Sequence, residues 1–283
     1  MTVRRAAVIG SGVMGGGIAA HLANAGVPVL LLDVVADGGD RSAVARAAIE
    51  RLKTTEPAPF MSRAAVRLVE PGNLEDDLGR IVEADWIVEA IVENLELKQA
   101  LYRKLEAARR PGSIVSSNTS TLPLARLTDG LPESFQRDFL VTHFFNPPRY
   151  LRLLEVVAGP ATRADAVRTV AGFADRALGK TVVRCKDTPG FIANRIGSFW
   201  MQAAMTSALE RGTPVEEADL VIARPFGIPK TGVFGLADLV GIDLLPHVAA
   251  SLRASLPRDD PFHAVDRPMP LVDRLIETGF TGR

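Results

Sequence analysis

The chain has 283 residues, 47% of them hydrophobic and 23% charged, which is enough apolar material for one large or two medium packed domains. Lys plus Arg and Asp plus Glu both number 33, so the basic bias that goes with a nucleic-acid or acidic-membrane partner is missing. The single cysteine, Cys185, excludes an internal disulfide and a zinc site built on several thiolates, and no uncharged stretch reaches membrane length, so a cytoplasmic protein with no membrane span is expected.

Up to about residue 187, short β-branched runs alternate with helical patterns, as in a parallel sheet covered by helices. Strands are expected at 6–9, 27–32, 85–92, 113–116, 139–143 and 181–184. Several of these are apolar on both faces, as strands between two helical layers must be. Leu97, Leu101 and Leu105 mark one helical stripe, with Asn94 as its N-cap. A second stripe holds Val167, Val170, Ala174 and Ala177 within 162–178, and Gly179 stops it. The Pro-containing stretch 54–61 reads as a loop.

Beyond Lys186 the pattern changes to helices throughout. Thr188-Pro189 reads as a helix start, with Pro at the first helical position. The segment 191–209 is apolar nearly all round and is expected to be buried on most sides, in a domain core or a subunit interface. Thr213-Pro214-Val215-Glu216 reads as a capping-box start for a helix that ends at Pro225, and further helices are expected at 235–240 and 244–252. The domains expected are therefore 1–187, α/β, and 188–283, all-helical.

The expected strand 6–9 runs into Gly10-Ser11-Gly12-Val13-Met14-Gly15 and then a helix, which is G-x-G-x-x-G in its required setting. Gly10 permits the tight turn, Gly12 lets a pyrophosphate approach the backbone, and Gly15 allows close helix–strand packing. The helix N-terminus, with the amides of Val13 and Met14, then faces the phosphates. Asp33 ends the next strand, where a carboxylate accepts ribose hydroxyls and repels a 2′-phosphate. No Arg or Lys follows it in Val34-Val35, so NAD is the expected cofactor of a Rossmann-type, mostly parallel sheet domain. The plainer reading is that Asp33 opens a turn and the glycines only pack.

The four histidines, His21, His143, His247 and His263, form no metal-binding pair. His21 reads as a surface or packing residue. His143 differs, because it ends an apolar strand, and ligands of open α/β sheets bind at the carboxyl ends of strands. A general base there needs an orienting carboxylate, and Glu155, on the apolar stretch 151–157, is a candidate. A hydrolytic triad of Ser120, His143 and Glu155 is rejected, since no G-x-S-x-G elbow is present.

The runs Thr142-His143-Phe144-Phe145-Asn146-Pro147 and Leu153-Leu154-Glu155-Val156-Val157 resemble the active-site signature of 3-hydroxyacyl-CoA dehydrogenases. So do Val92-Glu93-Asn94, Ser117-Asn118-Thr119-Ser120 and the stretch from Lys186 to Arg195, in the family's order over almost the whole chain. The resemblance implies His143 as base and Glu155 as its orienting carboxylate. It further implies Ser120 and Asn194 as hydrogen-bond partners of the substrate oxygen or the histidine, and Glu93, Lys98 and Asn118 around the nicotinamide side of the NAD pocket. An acyl-CoA thioester is the implied substrate. Plainer readings stand beside these: Ser120 as a turn cap, Asn194 as a packed amide, Glu93 as a helix-dipole charge and Lys98 as a solvated one.

The segment from Asp33 to Val82, with Pro147-Pro148-Arg149-Tyr150-Leu151, looks more like larger bacterial fatty-oxidation proteins, which also carry an enoyl-CoA hydratase-like portion. The sequence stops where the family continues, so a truncated chain or one module of a longer protein is expected. Its expected partner is a second copy, through the apolar helix, or the hydratase-like portion. The CoA site is not readable from the sequence: Arg51, Lys53, Arg149 and Arg152 are candidate cations for its phosphates, and each also reads as a solvated surface charge. Two other readings of function remain: a dehydrogenase of a free 3-hydroxy acid, and a non-catalytic NAD-binding module.

Overall fold

The computed structural model describes residues 2–223, 225 and 231–282. Its backbone divides into two units, Met1–Thr188 and Pro189–Arg283.

The first unit is built on an eight-stranded sheet. In chain order its elements are β1 (Ala6–Ile9), α1 (Val13–Asn24), β2 (Val29–Asp33), α2 (Ala43–Leu52), α3 (Arg63–Val66), β3 (Val69–Asn73), β4 (Trp86–Glu89) and α4 (Leu95–Ala108). There follow β5 (Ile114–Ser117), α5 (Leu124–Leu127), α6 (Glu133–Asp138), β6 (Phe139–Phe144), β7 (Leu153–Ala158), α7 (Ala164–Leu178) and β8 (Thr181–Cys185). The strand order is β3-β2-β1-β4-β5-β6-β7-β8. Every pairing is parallel except β6 with β7. The order reverses between β1 and β4, which is the crevice where doubly wound sheets hold dinucleotides.

Successive residues of a strand face opposite sides, and both sides here are apolar. Ala6, Val8, Leu31, Trp86, Val88, Ile114 and Leu140 form a single core with Ile18 and Leu22 of α1, Ile49 of α2 and Val170 and Ala174 of α7. The alternate residues Ala7, Ile9, Ile87, Val115 and Val141 are likewise fully buried. That second face is where α4 lies, and its Tyr102 ring meets Phe135 and Phe139 at 5.5 and 5.1 Å. Trp86, buried on the first face, donates from Nε1 to Ser116 Oγ at 2.9 Å and stacks with Phe144.

The six expected strands all exist, with no end moved by more than three residues. Two more strands occur. β3 contains Pro71 and Gly72, and pairs only with β2 at the sheet edge, where a missing N–H is tolerated. β7 was legible only as an apolar stretch. In α4, Asn94 caps the helix by accepting from Leu97 N, as expected. Leu97 itself is 53% exposed, and Lys98 and Tyr102 join Leu101 and Leu105 on the buried face instead. On α7, Ala177 is likewise exposed, while Gly179 closes the helix in the left-handed region at φ 62°.

The second unit contains α8 (Ala193–Glu210), α9 (Val215–Ala223), α10 (Phe234–Val240), α11 (Leu244–Ser255), α12 (Phe262–Val265) and α13 (Pro270–Glu277), and no strand among its described residues. Met205, Val233, Ala237, Ile242 and Val272 form its core. The expected helix start at Pro189 is not realised. Gly190 at φ 72° and Phe191 at φ 49° are both left-handed, so a right-handed helix cannot begin before Ile192. Within the chain, Met205 and Ala208 of α8 are buried, most of the rest is half-buried, and Ile196 is 63% exposed. Among the described residues no single helix is long and apolar enough to cross a membrane.

Candidate active site

The glycines between β1 and α1 have separate geometric reasons. Gly10 lies at φ 96°, and a Cβ there would stand 2.6 Å from the carbonyl oxygen of Ala90. A Cβ on Gly15 would come within 1.8 Å of the Gly10 carbonyl oxygen, so the helix can seat only on a bare Cα. Gly12 is the N-cap of α1, and a Cβ there would meet nothing within 4 Å. The turn is thus packed from beneath at Gly10 and Gly15 and open at Gly12, the arrangement that a pyrophosphate on a helix N-terminus requires. Val13 is 67% exposed beside it, and Met14 packs against the core.

Asp33, at the carboxyl end of β2, reaches back to the same turn. Its Oδ2 accepts from Ser11 N and Ser11 Oγ, and its Oδ1 from Val34 N. The carboxylate therefore braces the glycine turn, with three of its roughly four acceptor positions taken and one on the half-buried Oδ1 side left over.

On the far half of the sheet, β6 and β7 run antiparallel with His143 directly opposite Glu155. His143 Nδ1 and Glu155 Oε2 are 2.8 Å apart, with the two residues 6% and 0% exposed. The pairing follows from register: neighbours facing one another across an antiparallel pair point to the same side of the sheet. Phe145 packs on the imidazole at 4.4 Å between ring centres. The chain leaves β6 through a cis Asn146–Pro147 bond. Beyond it, the buried ammonium of Lys180 donates to the carbonyls of Pro148 and Leu151 and lies over the Phe144 ring.

A charged network joins the carboxyl ends of β4 and β5. Glu89 is completely buried, and its oxygens accept from Ile91 N at 2.8 Å, Lys98 Nζ at 2.5 Å, Tyr102 OH at 2.6 Å and Ser117 Oγ at 2.6 Å. Burial, then the Glu89 charge, pushes the Tyr102 phenol well above its ordinary value, so it remains a donor. Lys98, 1% exposed, also lies 3.3 Å from Glu93 Oε2. Glu93 in turn accepts from Thr119 Oγ1, Ser120 N, Thr121 N and Thr121 Oγ1. Burial opposes the Glu93 charge, but the Thr119 hydroxyl, Lys98 and Thr121 outweigh it and hold the carboxyl below the usual range.

Several plainer readings are thereby settled as geometry. Lys98 is not a solvated charge, and Glu93 latches the loop after β5 rather than only meeting a helix dipole. Asn118 Oδ1 accepts from Phe144 N at 2.9 Å, tying that loop to the residue after His143. Ser120 is half-buried on the same loop, and Asn194 is half-buried on the first turn of α8, in the second unit. Among the cations considered for CoA, Arg149 donates to the Ala58 and Phe60 carbonyls, Arg51 to the Ser11 carbonyl, and Lys53 pairs with Glu50. Sequence reasoning missed Glu89 and Tyr102. The available signal was a carboxylate inside the apolar run Trp86-Ile87-Val88-Glu89, a place where charge persists only if paired. His21 is buried on α1, not at the surface, and burial, then Lys180 and Arg149, lowers its pKa to about 4.

Comparison with known proteins agrees with this layout. Residues 5–188 match the family model described as 3-hydroxyacyl-CoA dehydrogenase, NAD binding domain, and residues 190–283 its C-terminal domain. A probable 3-hydroxyacyl-CoA dehydrogenase of Deinococcus radiodurans is 45% identical over 263 residues, 93% of this chain and 76% of that protein. A putative fatty acid oxidation complex trifunctional enzyme of Rickettsia felis is 42% identical over 99% of this chain, which spans only 39% of that relative's length. Among solved structures, M. tuberculosis FadB2 superposes with a TM-score of 0.83 at 28% identity, covering 100% of this chain and 96% of that one. The 3-hydroxybutyryl-CoA dehydrogenase of Escherichia coli gives a TM-score of 0.81 at 29% identity, over 100% of this chain and 58% of that one. The chain belongs to the 3-hydroxyacyl-CoA dehydrogenase family of NAD-binding oxidoreductases.

Proposed function

We propose that the protein oxidises (3S)-3-hydroxyacyl-CoA to 3-ketoacyl-CoA in fatty-acid β-oxidation, with His143 as general base. The observation that carries this reading is the buried pair of His143, at the carboxyl end of β6, and Glu155 opposite it on β7, on the same sheet as the open glycine turn. Bound NAD supplies the acceptor for the hydride leaving C3. His143 Nε2 takes the hydroxyl proton as the C3–O bond becomes a carbonyl. Glu155, on Nδ1, selects the tautomer that leaves Nε2 unprotonated and stabilises the imidazolium that forms. Ser120 and Asn194 are proposed to hold the substrate oxygen or the histidine, and Glu93, Lys98 and Asn118 to shape the nicotinamide side.

The pyrophosphate is assigned to Gly10, Gly12, Val13, Met14 and Gly15, and the adenosine ribose to Asp33. The substrate-binding or dimerising part is assigned to residues 188–283. The half-covered α8 favours a second copy or a hydratase-like portion as its neighbour, and relatives named as trifunctional fatty acid oxidation enzymes fit the latter. A single cysteine suits a cytoplasmic setting. The test supplies NAD with a short 3-hydroxyacyl-CoA or with the matching free 3-hydroxy acid, and follows NADH absorbance. The proposal expects the thioester to have a kcat/KM about 10² or more above the free acid, since remote binding energy supports turnover. Equal rates, or preference for the free acid, would replace the substrate class.

A further inference from the structure

Glu89, Lys98 and Glu93 form a chain of alternating charge that leads from the sheet interior to the surface of the crevice. Glu89 is fully buried and Lys98 nearly so, while the Glu93 side chain is 35% exposed. All three belong to the half of the sheet that begins with β4, beyond the switch point. Glu89 shares its sheet face with Ile87 and α4, the side to which Val141 and, two residues on, His143 also point. Two carboxylates and one ammonium leave a net charge of −1 in the group. Lys98 is held by Glu89 Oε1 at 2.5 Å and is 3.3 Å from Glu93 Oε2, so the closer carboxylate is the buried one.

The nicotinamide ring is cationic in the oxidised cofactor and neutral in the reduced one. A fixed negative charge beside it therefore favours the oxidised form, by an amount set by Coulomb's law in a partly buried site. We propose that Glu89 is a charge-setting, positioning residue. By pairing with Lys98 it leaves the three-residue group with one net negative charge at the nicotinamide end of the crevice, and so biases cofactor binding toward NAD over NADH. The proposal rests on the nicotinamide half lying beside β4 to β6. Glu155 adds its own charge on that side, but this is common to every variant compared below.

The test measures Kd for NAD and for NADH separately on the full chain, by calorimetry and by nicotinamide fluorescence, and takes the ratio Kd(NADH)/Kd(NAD). Glu89→Gln should lower that ratio about fivefold or more, because Lys98 then cancels Glu93. The double change Glu89→Gln with Lys98→Gln removes a neutral pair and should return the ratio to within about twofold of the parent. Glu93→Gln removes the same unit of charge from the rim without disturbing the buried pair, so it should lower the ratio even if Glu89→Gln does not fold. A purely structural Glu89 would weaken both cofactors together and leave the ratio unmoved in the single variant. That result, or an unchanged ratio in Glu93→Gln, would overturn the inference. Loss of all binding of both cofactors by the parent chain would instead overturn the placement of the dinucleotide.

Discussion

Glu155 lies opposite His143 on the antiparallel β6–β7 pair, with Oε2 2.8 Å from Nδ1 and the carboxylate wholly buried. Glu155→Gln preserves shape but removes the charge that supports an imidazolium, and an amide does not enforce one tautomer. Turnover is expected to fall by about 10² to 10⁴ while the melting midpoint changes by only a few degrees. A turnover near the parent's in a folded variant would rule out the pair as a catalytic unit.

His21 gives the fold an acid-labile point. Its pKa of about 4 in the folded chain lies below its ordinary 6.5, with burial as the main cause and the cations Lys180 and Arg149 adding to it. Between those values the unfolded chain binds a proton that the folded chain does not, so stability falls as pH drops from about 6.5 toward 4 and is intact above that window. The contribution is of order 3 kcal/mol at most. His21→Gln should flatten the pH dependence of denaturant midpoints across that window, and an unchanged slope would show that His21 does not set it.

The glycines of the first turn separate packing from ligand room. Gly12→Ala places a methyl in open space, so thermal stability should stay within about 1 kcal/mol of the parent while NAD affinity drops about tenfold or more. Gly15→Ala drives a methyl into the Gly10 carbonyl, so its cost should fall on the fold itself, at roughly 2 kcal/mol or more. Paired melting curves and cofactor titrations check both, and equal behaviour of the two variants would contradict the assignment.

Asp33 both braces Ser11 and carries the charge expected at the ribose. Asp33→Asn keeps an acceptor for the Ser11 amide but removes the repulsion of a 2′-phosphate. The ratio of NAD to NADP affinity should narrow about tenfold with the turn intact. No change in that ratio would leave Asp33 as a turn brace alone.

What the sequence disclosed was decided by local chemistry. β1, the glycine turn and Asp33 follow one another in a single short segment, so the dinucleotide half could be read directly. Strand-end His143 was visible for the same reason, whereas its facing of Glu155 depends on the β6–β7 register, which no local pattern specifies. β3 was hidden because Pro71 and Gly72 are poor strand formers that only an edge tolerates. The Pro189 helix start failed because Gly190 and Phe191 take left-handed conformations that a Thr-Pro signal does not reveal. Lys98 looked like a solvated helix charge because its buried partner, Glu89, lies on a different element, nine residues earlier.

The most direct measurement mixes the purified chain with NADH and a short 3-ketoacyl-CoA and follows loss of nicotinamide absorbance, beside His143→Ala. The account predicts turnover by the parent and a loss of about 10³ or more in the variant, with NADH affinity within a few-fold of the parent. Turnover by His143→Ala at the parent's rate, or a parent that binds NADH and the thioester yet consumes neither, would contradict it.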